Sequence, residues 1–193
     1  MATRIGIIGD THIPGSIPEL WPEVRDAFKG VDLILHAGDL ESPRVLDWLE
    51  EIAPTYAAEG NHDRGLSQYD ARIKPKHFLE IEGYRLGMTH IVDGWEFGAE
   101  RVVRYYLGEI PDIVVCGDTH FEFVKREDGM LIVNPGSATY PHNLEARRGH
   151  VAILDVKRGE QPEAWIVDLS KLSNVPNDQA DPRRRAVGRH RQA

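Results

Sequence analysis

The chain has 193 residues, 41% of them hydrophobic, enough for one sizeable core and therefore for a single domain. Its formal net charge of −8 hides an asymmetry: residues 181–193 hold five arginines and one aspartate, leaving residues 1–180 with 18 basic against 30 acidic side chains. An acidic body disfavours a general nucleic-acid binder, the single cysteine (Cys116) excludes an intramolecular disulfide, and no run reaches the roughly 20 apolar residues that span a bilayer.

The N-terminal "MATRIGIIGDTH" has too short an apolar run for a signal peptide, so a cytoplasmic protein is expected. Residues 3–9 read as a buried strand ending at Gly. Ser16 and Glu19 have capping-box spacing, and Ile17, Trp21, Val24 and Phe28 recur at helical intervals, which predicts a helix over 16–28. A second buried strand, 31–39, ends at Gly-Asp. Ser42-Pro43 then reads as an N-cap with Pro at N1, before a helix that aligns Val45, Trp48, Leu49 and Ile52. Residues 55–63 form a third strand and its loop. This β-α-β-α-β order predicts mostly parallel strands with crossover helices.

The second half is richer in strands. Residues 77–90 read as two strands about a Glu82-Gly83 turn, 97–107 as a helix, and 113–116, 121–126, 130–134, 149–156 and 162–168 as strands, with turns at Asp128-Gly129 and Arg158-Gly159. Two packed sheets with helices outside are expected. Residues 171–193 lack periodicity and read as a flexible basic tail after a domain over 1–170.

Polar residues gather just beyond the apolar runs: Asp10 and His12, Asp39, Asn61 and His62, His90, then Asp118 and His120. In open α/β sheets the C-terminal strand edge is where loops converge on a site. Carboxylates, imidazoles and an amide gathered there make a ligand set for borderline divalent metals. Adjacent glycines (Gly9, Gly38, Gly60, Gly117) are expected to let the backbone turn sharply. Gly-Asp-Thr-His occurs twice, at 9–12 and 117–120, but the flanking stretches diverge. Two ends of one site are therefore preferred to an internal repeat.

In order, "GDTH", "HAGDL", "EGNHD", "MTH" and "CGDTH" resemble the motifs of the calcineurin-like metallophosphoesterases, and "NPGS" (134–137) resembles their small bacterial and archaeal phosphodiesterase branch. The likeness covers roughly residues 3–168. It implies a four-layer α/β/β/α sandwich with two mixed sheets and two divalent metals at the sheet edge. Carried over, Asp10, His12 and His120 would bind one metal, Asp39 would bridge both, and Asn61 and His90 would bind the second. His62 would assist phosphoester cleavage by a metal-bridging hydroxide, and Asp63 would orient its ring.

One position departs from the family pattern, which has His where this chain has Asp118. A carboxylate there lowers the charge of the centre and favours harder metals, so Mn²⁺ is the first choice, with Fe²⁺, Ni²⁺ or Zn²⁺ as alternatives. Whether Asp118 ligates directly, ligates through water or leaves a ligand missing stays open. Arg64 is a candidate substrate-phosphate contact, with a surface ion pair as its competing role. His36 reads as a hydrogen-bonded core histidine, Asn134 and Ser137 as turn formers, and Cys116 as buried and inert; His77, His142, His150 and His190 have no supporting motif.

The expected function is a metal-dependent phosphoesterase, and more specifically a phosphodiesterase acting on a small-molecule ester, since no inserted cap domain closes the site. A homodimer is the expected assembly. The rivals are a non-catalytic scaffold of the same fold and a metal-dependent nuclease. The presence of His62 weighs against the first and the acidic body against the second.

Overall fold

A computed structural model describes residues 2–173. The elements are β1 (Ala2–Ile8), α1 (Pro22–Ala27), β2 (Leu33–His36), α2 (Arg44–Glu50), β3 (Thr55–Ala58), β4 (Ile73–Lys74), β5 (Lys76–Ile81), β6 (Tyr84–Thr89), α3 (Ala99–Leu107), β7 (Ile113–Val115), β8 (Glu122–Glu127), β9 (Met130–Pro135), β10 (His150–Lys157) and β11 (Glu163–Asp168). One sheet runs β11-β10-β1-β2-β3-β4 and the other β5-β6-β7-β9-β8. Both are mixed. β1 to β4 are parallel with antiparallel β10 and β11 beside them, while β6, β7 and β9 are parallel between antiparallel edges.

Three apolar layers hold the sandwich together. Between the sheets, Ile5, Ile7 and Leu35 meet Met88, Val115 and Val133. Outside the first sheet, Ile8 and Ile34 pack with Val24 and Phe28 of the α1 segment and Leu46 and Leu49 of α2. Outside the second, Val102, Val103 and Leu107 of α3 pack with Val114 and Ile132. Successive residues of β1 thus serve opposite faces, as a pleated strand requires. The result is the expected four layers, α/β/β/α.

Gly6 lies on the helical face of β1, where a Cβ would sit 2.8 Å from Phe28 Cδ1. Gly6→Ala is therefore expected to destabilise the fold by about 1–3 kcal/mol through overpacking, read as a lower urea midpoint at unchanged slope.

The first helix is shorter than predicted. Pro22 biases Trp21 toward extended backbone (φ −60, ψ 135), so the helix cannot start before Pro22. Ser16 does not cap it; its hydroxyl donates to Thr11 O at 2.6 Å. The α2 helix starts at Arg44 with Pro43 as N-cap, and Ser42 Oγ accepts from the Arg44 N–H at 3.3 Å. Glu82-Gly83 and Asp128-Gly129 take left-handed φ at both positions, the pattern of two-residue hairpin turns. Lys171 ends a 3₁₀ turn that closes on Asp168, so residues 171–173 still follow β11; the rest of the expected tail lies outside the described residues. No helix among the described residues is long and apolar enough to cross a membrane.

Candidate metal centre

The two Gly-Asp-Thr-His stretches follow β1 and β7 and adopt one backbone shape. Asp10 and His12 have φ of 50° and 46°, and Asp118 and His120 have 69° and 61°. Asp39 joins them at 57°. Left-handed φ is uncommon outside glycine and concentrates where surrounding structure enforces it for function. Here the enforcement is visible. Asp10 N–H donates to Gly38 O and His12 N–H to Asp39 O, both at 2.9 Å. Ser137 and Thr139 hydroxyls donate to Asp10 O and Thr11 O, both at 2.6 Å, and Asn134 Nδ2 donates to Gly117 O at 2.9 Å. The "NPGS" turn thus fastens both loops to one another.

Three imidazoles converge here, His12 and His120 lining a cleft and His90 buried beside Asp39. His90 Nδ1 donates to Ala37 O and His120 Nδ1 to Tyr140 O, both at 2.7 Å, and His12 Nδ1 donates to Glu41 Oε1 at 3.0 Å. Each partner can only accept, which fixes the proton on Nδ1 and leaves Nε2 as a bare lone pair in the neutral ring. His12 Nε2 and His120 Nε2 then face one another at 3.1 Å. Two lone pairs at that distance repel unless a cation sits with them.

The carboxylates complete the set. Asp10 Oδ1 lies 3.7 Å from His120 Nε2, while Asp10 Oδ2 is buried with no hydrogen-bond partner. Asp39 spreads its oxygens, Oδ2 at 3.5 Å from His12 Nε2 and Oδ1 at 3.4 Å from His90 Nε2. Donor atoms of Asp10, His12 and His120 lie within 4.8 Å of one another, as do those of Asp10, Asp39 and His90. An orphaned carboxylate oxygen and three imidazole Nε2 atoms, bare once the rings are neutral, fit divalent cations of the borderline class.

The electrostatics agree. Burial pushes Asp10 well above the usual carboxylate range. Burial also opposes ionisation of Asp39, but the His90 hydrogen bond and charge outweigh it and hold Asp39 at about 2. His90 is disfavoured as a cation by burial, yet Asp39 and Asp10 raise it to about 9. Without metals, an imidazolium at His90 offsets the charge of Asp39.

Residues 3–159 match the calcineurin-like phosphoesterase superfamily domain. The chain belongs to this superfamily. A probable metallophosphoesterase of Methanothermobacter thermautotrophicus is 41% identical over 164 residues, covering 84% of this chain and 91% of the relative. A phosphodiesterase of Methanocaldococcus jannaschii is 25% identical over 176 residues, 83% of this chain and 97% of the relative. Among solved structures, vacuolar protein sorting 29 of Cryptosporidium parvum matches with a TM-score of 0.67 at 19% identity, over 86% of this chain and 97% of that one, a likeness of fold.

Within this superfamily fold, Asn61 Oδ1 lies 2.9 Å from His90 Nε2, beside Asp39. Asp118 lines the cleft with Oδ1 3.6 Å from His90 Nε2, on the His90 side of the cluster. The His62 ring meets His12 edge-on at 5.0 Å and lines the same cleft. Asp63 does not take the expected position against the His62 ring. It is buried, and its oxygens accept four backbone N–H groups, of Asp39, Leu40, Glu41 and Gly60, at 2.7–3.0 Å. Arg64 is exposed, in a turn that leads into the 3₁₀ segment Leu66–Gln68, and is not among the residues lining the cleft, so the structure offers no support for a substrate contact.

Of the four glycines expected to turn the chain, Gly38 alone has left-handed φ, 104°. Gly60 and Gly117 serve close approach: a Cβ would meet Asp39 Oδ1 at 2.1 Å and Asp10 Oδ2 at 2.9 Å, respectively. His36 is a core residue, bonded to Thr11 Oγ1 and Gly38 N–H and lowered by burial to about 3. Cys116 is buried and its thiol pushed up to about 12. Sequence reading missed Glu41, Tyr140 and Asn143, which also line the cleft. Glu41 lay within reach, two residues past Asp39 and directly after the "HAGDL" motif.

Proposed function

We propose that this chain is a dimetal phosphodiesterase. In this reading Asp10, His12 and His120 hold one cation, Asn61 and His90 hold the other with Asp118 beside them, and Asp39 lies between. The observation that carries it is the set of three Nδ1-anchored imidazoles whose Nε2 atoms gather with the carboxylates of Asp10 and Asp39, one Asp10 oxygen being buried without a partner. Bound divalent cations supply Lewis-acid polarisation of a phosphoryl group and a nucleophile at neutral pH.

The remaining work falls to the chain's own groups. Exposed His62 lines the cleft, and in this reading its ring gives a proton to the leaving alkoxide. Ser16, Tyr140 and Asn143 offer polar contacts on the walls. The cleft is open, with a volume of about 450 Å³, which suits an ester substituted on two sides. The relative named a phosphodiesterase supports the same preference. Mn²⁺ is favoured because Asp118 makes the centre more anionic and its donors harder than a histidine would. The lone buried cysteine suits a cytoplasmic setting.

The scaffold reading is favoured by one observation, the fold shared with vacuolar protein sorting 29. One experiment separates the two: chelator-stripped protein refilled with Mn²⁺, Fe²⁺, Ni²⁺ or Zn²⁺ and assayed on chromogenic phosphate mono- and diesters. Metal-dependent diester turnover, strongest with Mn²⁺, is expected. Brisk monoester turnover with the diester untouched would refute the diesterase, and silence with every metal would establish the scaffold. An Asp118→His arm should shift the metal preference toward Zn²⁺.

A further inference from the structure

A second constellation of metal-binding side chains lies outside the centre. Glu122 opens β8, His150 opens β10, and His142 sits in the 3₁₀ turn Pro141–Asn143. Glu122 Oε2 is 2.9 Å from His142 Nε2 and 3.3 Å from His150 Nδ1. The three donor atoms lie within 4.8 Å of one another. The imidazoles stack at 5.9 Å and 25°, and Phe121 stacks on His142 at 4.7 Å and 12°.

Three features point past an ordinary hydrogen-bonded cluster. His150 Nδ1 is buried and has no hydrogen-bond partner despite its short distance to the carboxylate, so its geometry is that of a donor atom facing a common point. Such buried unsatisfied groups are rare and call for an explanation. His142 has φ 57°, left-handed backbone that only a few per cent of non-glycine residues adopt, and its Nε2 lies 2.9 Å from Glu122 Oε2. Finally, side-chain exposures of 24% for Glu122, 32% for His142 and 18% for His150 leave the cluster half-buried and reachable from solvent.

We propose that Glu122, His142 and His150 bind a further divalent cation of the Zn²⁺ class, separate from the centre described above. Two imidazoles and one carboxylate, with room for water, form a donor set that Zn²⁺ takes readily. The cation ties the starts of β8 and β10 to the turn between them. That turn matters to the cleft: His142 N–H donates to His120 O at 3.0 Å, Tyr140 O fixes the His120 tautomer, and Asn143 lines the wall. The peripheral cation therefore braces the support of His120. This inference does not depend on the phosphodiesterase reading and stands if that reading fails.

The test counts bound metal. Chelator-stripped full-length protein is saturated with Zn²⁺, desalted and analysed by elemental mass spectrometry. The double variant His142→Gln/His150→Gln is expected to hold about one equivalent fewer than wild type. Equal stoichiometry would overturn the site. Should that variant fail to fold, wild-type protein suffices: Zn²⁺ should slow diethyl pyrocarbonate labelling of His142, mapped by peptide mass, by at least about tenfold, reversibly with chelator. Labelling of His142 at the same rate with and without Zn²⁺ would also overturn the site.

Discussion

Cation affinity of the main centre is expected to fall by about tenfold for each pH unit as pH drops below about 9, because the His90 proton must leave before a metal can take its place. The sign follows from the metal-free state. His90 is raised above its ordinary 6.5, so through neutral pH its ring is protonated and acts as the cation between Asp39 and Asp10. Loading exchanges that proton for a metal. Asp10, raised by burial, gives a second proton for the metal to displace and steepens the dependence wherever it titrates. Asp39, held at about 2, stays ionised throughout and adds no slope.

The same pair makes a separate statement about the metal-free fold. The His90 contribution to stability is complete below pH 6.5 and is lost as pH rises through about 9. The Asp39 contribution is present above 3.8 and is lost as pH falls through about 2. Competition with a chelator of known pH dependence measures the affinity, and calorimetry in buffers of different ionisation heat counts the protons released. An affinity that stays flat from about pH 6 to 9, with no proton released, would refute the idea that an imidazolium stands in for the metal.

Much of this was legible because the strands are buried on both faces. A run such as Ile5 to Ile8 has to be apolar throughout, and a polar residue marks where the strand leaves the core. Asp10, Asp39, Asn61 and Asp118 each fall soon after such an exit, so chain order alone lined up the centre. The start of α1 was misread because the apolar spacing of Ile17, Trp21 and Val24 continues through a non-helical stretch. All three are buried, but Pro22 decides where the helical hydrogen bonds begin. The two-residue β4 has no periodicity to read; it exists because the edge of β3 is available for pairing.

The supports of the ligands were less visible for a different reason. The acceptors that set the His90 and His120 tautomers are the main-chain oxygens of Ala37 and Tyr140, and any residue has one. Ser137 and Thr139 act on main-chain oxygens as well. Such roles depend on where the backbone passes and leave no mark in the residue types. The Glu122, His142 and His150 cluster was hidden for a related reason. Its members are 8 to 28 residues apart in sequence and meet through the adjacency of β8, β10 and one turn.

Asp63→Ala is expected to cost about 3–5 kcal/mol of stability, because it strips the common acceptor from four N–H groups when one such buried group costs about 1–3 kcal/mol. The loss should not sum to four full penalties, since Glu41 is partly exposed and water can replace the carboxylate there. Burial raises the Asp63 pKa while the N–H bonds of Glu41, Gly60 and Leu40 pull against it, so these bonds offset part of the cost of burying its charge. Denaturant unfolding of stripped protein measures the change. The effect should also reach the metals. Asp39 N–H is one of the four donors, and the left-handed turn that spreads the Asp39 oxygens rests on the same carboxylate. Loss of an outer partner of this kind typically lowers metal affinity or activity by about 10–100-fold. The family resemblance instead assigns Asp63 to the His62 ring. Under that assignment the variant would lose turnover while keeping wild-type stability and metal affinity, so measuring all three on one protein decides between the roles.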